Sequence, residues 1–381
     1  MRPIFLTNYN QDIRLFRHGG HWWSYGLLLG LVLSAPFFVG PYVESQIVFV
    51  FIYAIVGVGL LILAGFTGQV SLGHAAFLAI GAYTAGYLQH LGAPFLVYLP
   101  VAVVLTGAVG ALVGFPALRL SGIYLVIATI AFGFIVEEVA ARWESVTNGN
   151  DGLRIKQIEL FGQTLGRDGL GFYYLCLAFL IVVLLLALNI LRSPTGRAFV
   201  AIRDSEIAAQ SIGVNLAVYK VLAFSVSAAV TGLAGCLYAH KLSFISPEMF
   251  TLVLSLEFII VILIGGVGSL HGAVLGSIFV VMVDPFLTFL KDDVPRTIGE
   301  LTRTLGYGKA QALENTLAAF GGSPGLKGAI YGLIIILFIV YEPYGLYGRW
   351  LKIRLYFELF PLYKKATFRR QKTYVKSERN R

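Results

Sequence analysis

The sequence predicts an all-α polytopic membrane protein with about ten transmembrane helices. Of its 381 residues, 57% are hydrophobic and only 13% are charged, whereas soluble domains carry about 25% charged residues. Apolar runs long enough to cross a bilayer recur along the whole chain, which is the pattern of a helical bundle in a membrane. The predicted spans are residues 25–42, 46–64, 70–90, 95–115, 120–141, 170–191, 220–240, 251–266, 268–290 and 328–343.

The N-terminal segment, residues 1–24, is predicted to lie in the cytoplasm. Arg2, Arg14 and Arg17 precede the first apolar run and no small-residue cleavage site follows it, so we expect an uncleaved membrane helix. Ten crossings return the C-terminus to the same side. Most of the 29 lysines and arginines fall on that side, as the positive-inside rule requires. The long external segments are then residues 142–169 and 291–327.

Two polar, glycine-rich stretches interrupt the spans: GFTGQVSLGH at residues 65–74 and GGVGSLHGA at residues 265–273. One interpretation of the first is a broken helix that faces a cavity or a partner, where irregular backbone is tolerated at membrane depth. The other is a cytoplasmic turn in which Ser71 caps the next helix. Both interpretations remain open. The candidate translocation residues in these stretches are Gly68, Gln69, Ser71, His74, Gly265 and Gly268.

A long polar segment, residues 192–220, separates two spans in the middle of the chain and is predicted to be cytoplasmic. Residues 194–196 predict a turn and residues 198–212 predict a helix, with Gly213 and Asn215 as stop residues. One side of this helix is expected to carry Phe199, Ile202, Ile207 and Ile212, and the polar residues Arg203, Asp204, Glu206 and Gln210 are expected mostly elsewhere. The segment is either an amphipathic helix that a soluble partner binds or a solvated connector.

Nothing in the sequence predicts catalysis, a cofactor or a metal site. Cys176 and Cys236 both lie in apolar spans, which excludes a disulfide framework, and the histidines lack ligand spacing. The chain contains no GxxxxGK[ST] loop, so the energy for transport must come from another chain or from an ion gradient. Glu257 lies inside a predicted span, and an acid there is a candidate functional residue on the translocation path.

The C-terminal tail, residues 349–381, accounts for the whole net charge of +9. Such a tail is typical of a cytoplasmic anchor to anionic lipid, and it favours a lipid partner over nucleic acid. The domain organisation is therefore a cytoplasmic N-terminal segment (1–24), a transmembrane domain (25–348) and this basic tail.

Several ordered strings give the chain a family resemblance. They are GFTGQVSLGHAAFLAIGAY (65–83), FPALRLSGIYLVIATIAFGFIV (115–136), SPTGRAFVAIRDSEIAAQSIGVN (193–215), GGVGSLHGAVLGS (265–277) and EPYGLYG (342–348). Over residues 37–348 the chain resembles the LivM-type permeases of branched-chain amino acid ABC transporters. The resemblance implies a bacterial or archaeal plasma-membrane subunit that pairs with a second, LivH-like permease, two cytoplasmic ATPase subunits and an external substrate-binding protein. It implies alternating access and import of amino acids.

The resemblance also places the docking of the ATPase in the middle segment. The implied coupling residues are Arg197, Ile202, Arg203, Asp204, Glu206, Ile207 and Gly213. Residues 206–213 are one residue longer than the general Glu-Ala-Ala-x3-Gly spacing, Asn148 replaces the first glycine of a Thr-Gly-Gly-x-x-Gly stretch, and residues 306–327 look like an insertion.

Three alternatives stay open at this point. The first is the same machine carrying urea or short amides. The second is a gradient-driven secondary transporter that works alone, with an ion site around Glu257. The third is a membrane scaffold that uses the basic tail. The sequence leaves the exact substrate and the residues that contact it undetermined.

Overall fold

The computed structural model describes residues 19–120, 122–160, 162–283, 285, 286, 288, 329, 332, 333, 336, 337, 340, 341 and 345–359. The predicted external segment 291–327, including its insertion, lies outside the described residues. Most of the predicted span 328–343, the first eighteen residues and the last part of the tail lie outside them as well.

Helices make up most of the described chain. They are α1 (Gly19–Phe38), α2 (Pro41–Leu60, followed by a π-helical turn at Leu61–Phe66), α3 (His74–His90), α4 (Phe95–Ala117), α5 (Ile123–Arg142), α6 (Glu144–Thr147), α7 (Leu170–Arg192), α8 (Pro194–Asp204), α9 (Glu206–Ser211), α10 (Leu216–Leu242), α11 (Leu252–Gly265), α12 (Leu270–Val283) and α13 (Gly345–Leu359).

Six helical segments of the described chain are long and apolar enough to cross a membrane, and two shorter apolar helices accompany them. The six are Pro41–Phe66, Phe95–Ala117, Ile123–Arg142, Leu170–Arg192, Leu216–Leu242 and Pro247–Gly265. The all-α polytopic fold is thus confirmed, while the total of about ten spans stays a prediction.

Helix α10 lies at the centre of the bundle, and its most extensive contacts are with α4, α3 and α2. Glycines bring these backbones together. A Cβ atom built on Gly235 would lie 2.1 Å from the carbonyl oxygen of Leu78, and one on Gly81 would lie 2.2 Å from that of Gly232. Helices in membranes associate through such small residues, because lipid supplies no hydrophobic force between them. Helices α3, α4 and α10 therefore form a tightly packed unit.

This packing predicts opposite effects for two glycine-to-alanine changes. We expect Gly235→Ala to lower the free energy of unfolding by about 1–3 kcal/mol, because the new methyl group overlaps the backbone of α3. Gly133→Ala in α5 is the matched control: its Cβ meets nothing within 4 Å, so it should raise the free energy of unfolding by about 0.5–1 kcal/mol. Thermal unfolding of the two purified variants checks this, and equal midpoints would contradict it.

The 142–169 segment contains strands as well as the helical stretches that the sequence predicts. Strand β1 (Leu153–Arg154) pairs antiparallel with β4 (Phe244–Ile245), which directly follows α10. Strands β2 (Ile158–Leu160) and β3 (Gln163–Leu165) form a hairpin. The strands are too short for an alternating pattern to reveal them, and β1 depends on a partner far away in the sequence.

Candidate functional site

The first break, residues 67–73, is irregular backbone whose polar side chains point into the bundle. Thr67, Gln69 and Ser71 are at most 5% exposed, and His74 at the start of α3 is fully buried. Ser71 does not cap α3 as the turn interpretation requires: Gly73 holds the N-cap position, and the Ser71 hydroxyl accepts from its N–H at 3.3 Å. The geometry therefore agrees with a broken helix whose polar side chains are enclosed by protein.

Polar side chains from three other helices hold the first break. The Leu72 N–H donates to Thr129 Oγ1 of α5 at 3.0 Å. His74 Nε2 lies 2.9 Å from Ser227 Oγ of α10, and the Ala75 N–H donates to Ser255 Oγ of α11 at 3.0 Å. These serines and this threonine were missed in the sequence, because single hydroxyl residues in apolar spans carry no pattern.

Some polar atoms of the first break remain without a hydrogen bond to the described residues. Nε2 and Oε1 of Gln69 and Nδ1 of His74 are all buried and have no such hydrogen bond. A buried polar group that lacks a partner costs about 1–3 kcal/mol, so such groups mark places where water or a ligand is expected.

The second break, residues 266–269, lies against the first. Gly266 and Gly268 have φ angles of 116° and 100°, which side chains with a Cβ rarely adopt. A Cβ on Gly65 would lie 3.3 Å from the backbone nitrogen of Gly268. The two glycine-rich stretches, far apart in sequence, thus meet at one end of the bundle. Gly265 lies in the same tight turn, where a Cβ would lie 1.9 Å from the Gly272 carbonyl oxygen.

The middle segment, residues 192–220, differs from its prediction. Instead of a turn, Pro194 begins α8, with Ser193 as the N-cap; proline suits this position because the first helical N–H has no partner. Ser205 is extended, with φ of −165°, and its side chain caps α9, so the single helix predicted for residues 198–212 is wrong. Gly213 is left-handed, with φ of 89°, as predicted, whereas Asn215 begins α10.

The break at Ser205 also separates the apolar side chains that were predicted to share one face. Phe199 and Ile202 of α8 are at most 2% exposed and pack into the bundle. Ile207 and Ile212 are 83% and 75% exposed. The one-sided helix is therefore wrong: α8 is fixed to the membrane domain, while α9 and the residues after it present apolar side chains outward.

Arg203 links the middle segment to the π-helical turn that precedes the first break, and it lies beside both breaks. Its Nη1 donates to the Gly65 carbonyl oxygen at 3.1 Å, and its Nε and Nη2 donate to Asp204 Oδ1 at 3.2 and 3.1 Å. A Cβ on Gly68 would lie 3.2 Å from Arg203 Cγ, and one on Gly268 would lie 3.9 Å from Nη1. We call this meeting of three segments the Arg203 junction. Arg197, at the other end of α8, is exposed and donates to the Arg192 carbonyl oxygen.

A second link runs from α9 to α10. Lys220 Nζ lies 2.7 Å from Glu206 Oε1, and the lysine side chain is only 5% exposed. A groove of about 510 Å³ opens beside this pair, between α9, the start of α10 and the end of α4. Its lining includes Leu118, Glu206, Gln210, Asn215 and Lys220.

The opposite end of α10 carries another buried lysine. Lys241 Nζ donates to Asp168 Oδ1 at 2.8 Å and to the Arg167 carbonyl oxygen at 3.2 Å, and its side chain is 3% exposed. Nearby, His240 Nδ1 lies 3.1 Å from the Lys156 carbonyl oxygen. These contacts hold the 142–169 segment on the end of α10. Both lysines were missed because each sits at the edge of an apolar run, where a lysine normally reaches water.

The Lys241–Asp168 pair predicts how stability depends on pH. The hydrogen bond from Lys241 holds the pKa of the Asp168 carboxyl below its ordinary value. Because the folded pKa is the lower one, the pair stabilises the protein above the ordinary pKa of about 3.9 and loses this contribution as pH falls through the folded pKa. We expect Asp168→Asn to lower the melting temperature by a constant amount between pH 8 and pH 5, and the difference should shrink below about pH 4.

Melting curves of both proteins across this range are the measurement. The control is Asp151→Asn, which removes an exposed acid from the same segment. A difference that grew on acidification would contradict the assignment of the lowered pKa to Asp168.

Glu257 does not belong to the Arg203 junction. It lies in the first half of α11, and the Tyr53 hydroxyl of α2 donates to its Oε2 at 3.0 Å. Glu138, near the end of α5, differs from it because it pairs with Arg142 one turn away at the surface. In the part of the chain that the structure describes, no group of three or more His, Cys, Asp and Glu side chains is placed to hold a metal ion.

Comparison with known proteins shows which family the chain is similar to. The family model "Branched-chain amino acid transport system / permease component" matches residues 42–339. The high-affinity branched-chain amino acid transport system permease protein LivM of Escherichia coli (strain K12) is 37% identical over 279 residues, which cover 67% of this chain and 66% of the relative. LivM of Salmonella typhimurium is 36% identical over the same length, with the same shares of both chains.

A further relative belongs to an import system for a different compound. The autoinducer 2 import system permease protein LsrC of Photorhabdus laumondii is 31% identical over 118 residues, or 29% of this chain and 35% of the relative. The matched part of the chain spans just under two thirds of the length of the two LivM proteins. No solved structure matches the chain.

Proposed function

The chain belongs to the family of branched-chain amino acid transport system permease components, and we propose that it is the LivM-type subunit of an ATP-driven importer of branched-chain amino acids. It is an integral membrane transport subunit and not an enzyme. The observation that carries the proposed mechanism is the Arg203 junction, where Arg203 of the middle segment donates to the Gly65 carbonyl oxygen and lies beside both glycine-rich breaks.

The ATPase subunits bind the outward face of α9 and the residues that follow it. Ile207 and Ile212 are large, exposed apolar side chains, and the groove lined by the adjacent Glu206 and Gly213 offers room for a partner side chain. Apolar side chains on a short helix that fit a groove on a soluble partner are a common recognition mode. The nucleotide sites lie on those separate subunits, since this chain has no phosphate-binding loop.

Movement of the docked segment reaches the membrane domain by two routes. Arg203 transmits this movement to Gly65, to which it donates a hydrogen bond, and to the neighbouring second break at Gly268. Glu206 carries it through Lys220 to α10. The breaks are able to change their backbone angles because glycine allows it, so closure of the ATPases alternates the access of the path lined by the first break.

The 142–169 segment receives the external substrate-binding protein. In support, its strands and the Lys241–Asp168 pair give it a fixed shape on the end of α10 opposite the Lys220–Glu206 pair. One helix of 27 residues therefore connects the surface for the binding protein with the surface for the ATPase. The loop 291–327 is proposed as the second contact with the binding protein.

Both termini are proposed to lie in the cytoplasm. In support, the Tyr25 hydroxyl of α1 lies 2.7 Å from His271 Nε2 beside the second break, and Tyr347 of α13 stacks on His271 with ring centroids 5.7 Å apart. Helix α13 carries Arg349, Lys352 and Arg354 and starts the basic tail that binds anionic lipid. A second, LivH-like permease completes the pathway.

Uptake by the reconstituted complex tests this function. Vesicles that hold the two permeases and the two ATPases, supplied with the binding protein, are given labelled leucine, urea or a dipeptide. We expect ATP-dependent leucine uptake. Urea uptake without leucine uptake would mean that the substrate is urea and not a branched-chain amino acid. Uptake by this chain alone, driven by an ion gradient, would mean that it is a secondary transporter and not part of an ATP-driven importer.

A further inference from the structure

We infer that α13 is an interfacial helix with two functions: one side binds the headgroups of anionic phospholipids, and the other side holds the second break in place. Lipid charge therefore controls how movement of the docked segment acts on the break. The inference rests on the proposed function, because it concerns the regulation of that transport and takes the cytoplasmic position of α13 from it. It goes beyond a lipid anchor, since the lipid acquires an effect on the Arg203 junction.

The start of α13 packs directly on the second break. Gly345 has a φ angle of 66°, and a Cβ atom built on it would lie 2.6 Å from the backbone nitrogen of Gly266. Tyr347 stacks on His271 at the start of α12, with ring planes 9° apart and ring centroids 5.7 Å apart. Helix α13 thus contacts the second break at its first residue and just beyond its last. A displacement of α13 therefore acts on the break.

The same side of α13 also reaches α1. Arg354 lies close enough to Tyr25 of α1 and to His271 to interact electrostatically with both. It follows Tyr347 by about two helical turns, so these two side chains lie on one side of α13. Most described side chains of α1 are exposed, which places α1 at the periphery of the bundle. Helix α13 lies beside it, at the level where the predicted span of α1 begins.

The opposite side of α13 combines a cation with large apolar side chains. Lys352 and Ile353 lie on the side away from Tyr347, by the period of the helix, and Trp350 lies at its flank. Trp350 and Ile353 are 57% and 49% exposed, and Lys352 is exposed as well. The boundary between headgroups and acyl chains accommodates such apolar side chains together with a lysine, and tryptophan is enriched there.

The charge of this region indicates anionic lipid. Residues 360–381, which follow α13 in the sequence, contain eight Lys or Arg and one acid. Basic segments on the cytoplasmic side of a membrane helix bind anionic headgroups. The competing occupant is an acidic surface of the ATPase. Lipid is favoured because α13 lies beside the exposed α1, and because the proposed surface for the ATPase is on α9 and the residues after it.

A helix that is fixed at the membrane surface gives the second break one immobile end. When anionic lipid holds α13, Tyr347 keeps His271 in place, and movement that Arg203 transmits at Gly268 bends the glycine backbone between them. When α13 leaves the surface, His271 loses this support and the break moves as a whole. ATP hydrolysis then continues, but less of it is converted into uptake.

A spin label on α13 tests the lipid contact without any substrate. Ile353→Cys carries the label in the full complex, and the native Cys176 and Cys236 are buried. The accessibility of the label to oxygen, which dissolves in the membrane, is compared with its accessibility to a water-soluble nickel chelate. In vesicles of phosphatidylcholine and phosphatidylglycerol, we expect access to oxygen and protection from nickel. In vesicles of phosphatidylcholine alone, we expect the reverse.

Lys352→Gln, introduced into the labelled chain, tests the role of charge. At a lipid composition where half of the labels of the parent chain lie in the membrane, it should lower the ratio of membrane-bound to water-exposed labels about fivefold. This factor is the contribution of one cation near an anionic surface. The matched control is Arg119→Gln, which removes an exposed cation beside the groove at the end of α4 and should leave the ratio unchanged.

Two substitutions at Tyr347 test the regulatory link. Tyr347→Leu removes the ring from His271 and leaves the lipid side of α13 intact. The label should therefore stay in the membrane, while leucine uptake per ATP hydrolysed falls to the level of the wild type in phosphatidylcholine alone. Tyr347→Phe keeps the ring and should match the wild type in both measurements. Full uptake by Tyr347→Leu would contradict the link to the second break.

Three further results would overturn the inference. They are the same label environment in both kinds of vesicle, equal effects of Lys352→Gln and Arg119→Gln, and wild-type leucine uptake per ATP that does not depend on phosphatidylglycerol. A label that is protected from both oxygen and nickel only when the ATPase is bound would assign this surface to the ATPase instead. A wild-type complex that takes up no leucine at any lipid composition would reject the proposed function, and the spin label would still decide whether α13 binds lipid.

Discussion

A complex purified with Ile207→Asp is expected to contain the permease without its ATPase subunits. Ile207 is 83% exposed in the isolated chain, and at the interface it would bury most of its side chain. Losing that apolar burial and placing a carboxylate in its position should weaken ATPase binding by about 3 kcal/mol or more, which is over a hundredfold. Binding of the ATPase to the permease in nanodiscs measures this, and Ile207→Val is the conservative control.

The same surface provides a charge-swap test. Glu206→Lys places a second lysine beside the buried Lys220, and breaking such a pair costs about 2–5 kcal/mol. The double variant with Lys220→Glu restores the opposite charges and should recover ATPase binding. If Ile207→Asp and Glu206→Lys both copurify with the full amount of ATPase and transport at the normal rate, the middle segment is only a connector.

The second large effect is expected at the Arg203 junction. Arg203→Gln should assemble with the ATPases and hydrolyse ATP, yet lose most of its uptake, because α8 no longer bonds to the Gly65 carbonyl oxygen. A hydrogen bond from a charged donor contributes about 1.5–3 kcal/mol, so uptake per ATP hydrolysed should fall about tenfold or more.

Two further variants localise this effect. Arg203→Lys has one ammonium group in place of a fork that reaches Gly65 and Asp204 together, so it should rescue uptake only in part. Asp204→Asn leaves the bond to Gly65 in place and should reduce uptake far less. Equal losses of ATP hydrolysis and uptake in Arg203→Gln would mean that the residue supports assembly rather than coupling.

The sequence predicted the membrane fold well because hydrophobic runs of spanning length are a strong signal. Helices α2, α4, α5, α7 and α10 each overlap a predicted span. The left-handed Gly213 was also predictable, since glycine is the residue that adopts this conformation at least cost.

The arrangement of the middle segment was not predictable in the same way. The helix break depends on Ser205, whose hydroxyl turns toward the N–H of Ala208, and nothing in the local pattern separates this serine from one inside a helix. Because of this single break, Ile207 lies on the exposed side of the segment instead of the buried side. From the sequence, Arg203 was expected to be a surface charge, because its acceptor, the Gly65 carbonyl oxygen, is far away along the chain.

The ion pairs at the two ends of α10 could not be predicted from the sequence for the same reason. Lys220 and Lys241 pair with Glu206 and Asp168 from segments outside the spans, and pairing between segments requires the three-dimensional structure. The contact between the two breaks is a further case. Both stretches are glycine-rich, but only the fold brings Gly65 beside Gly268.

The central claim is that the docked segment moves the two breaks through Arg203, and one distance measurement tests it most directly. Val70 in the first break and Val267 in the second are 45% and 54% exposed, so both accept spin labels. In the complex with bound ATPases, the distance between these labels is predicted to change on addition of ATP in the wild-type chain and to stay constant in Arg203→Gln. The same change in both proteins, or no change in either, would contradict the account.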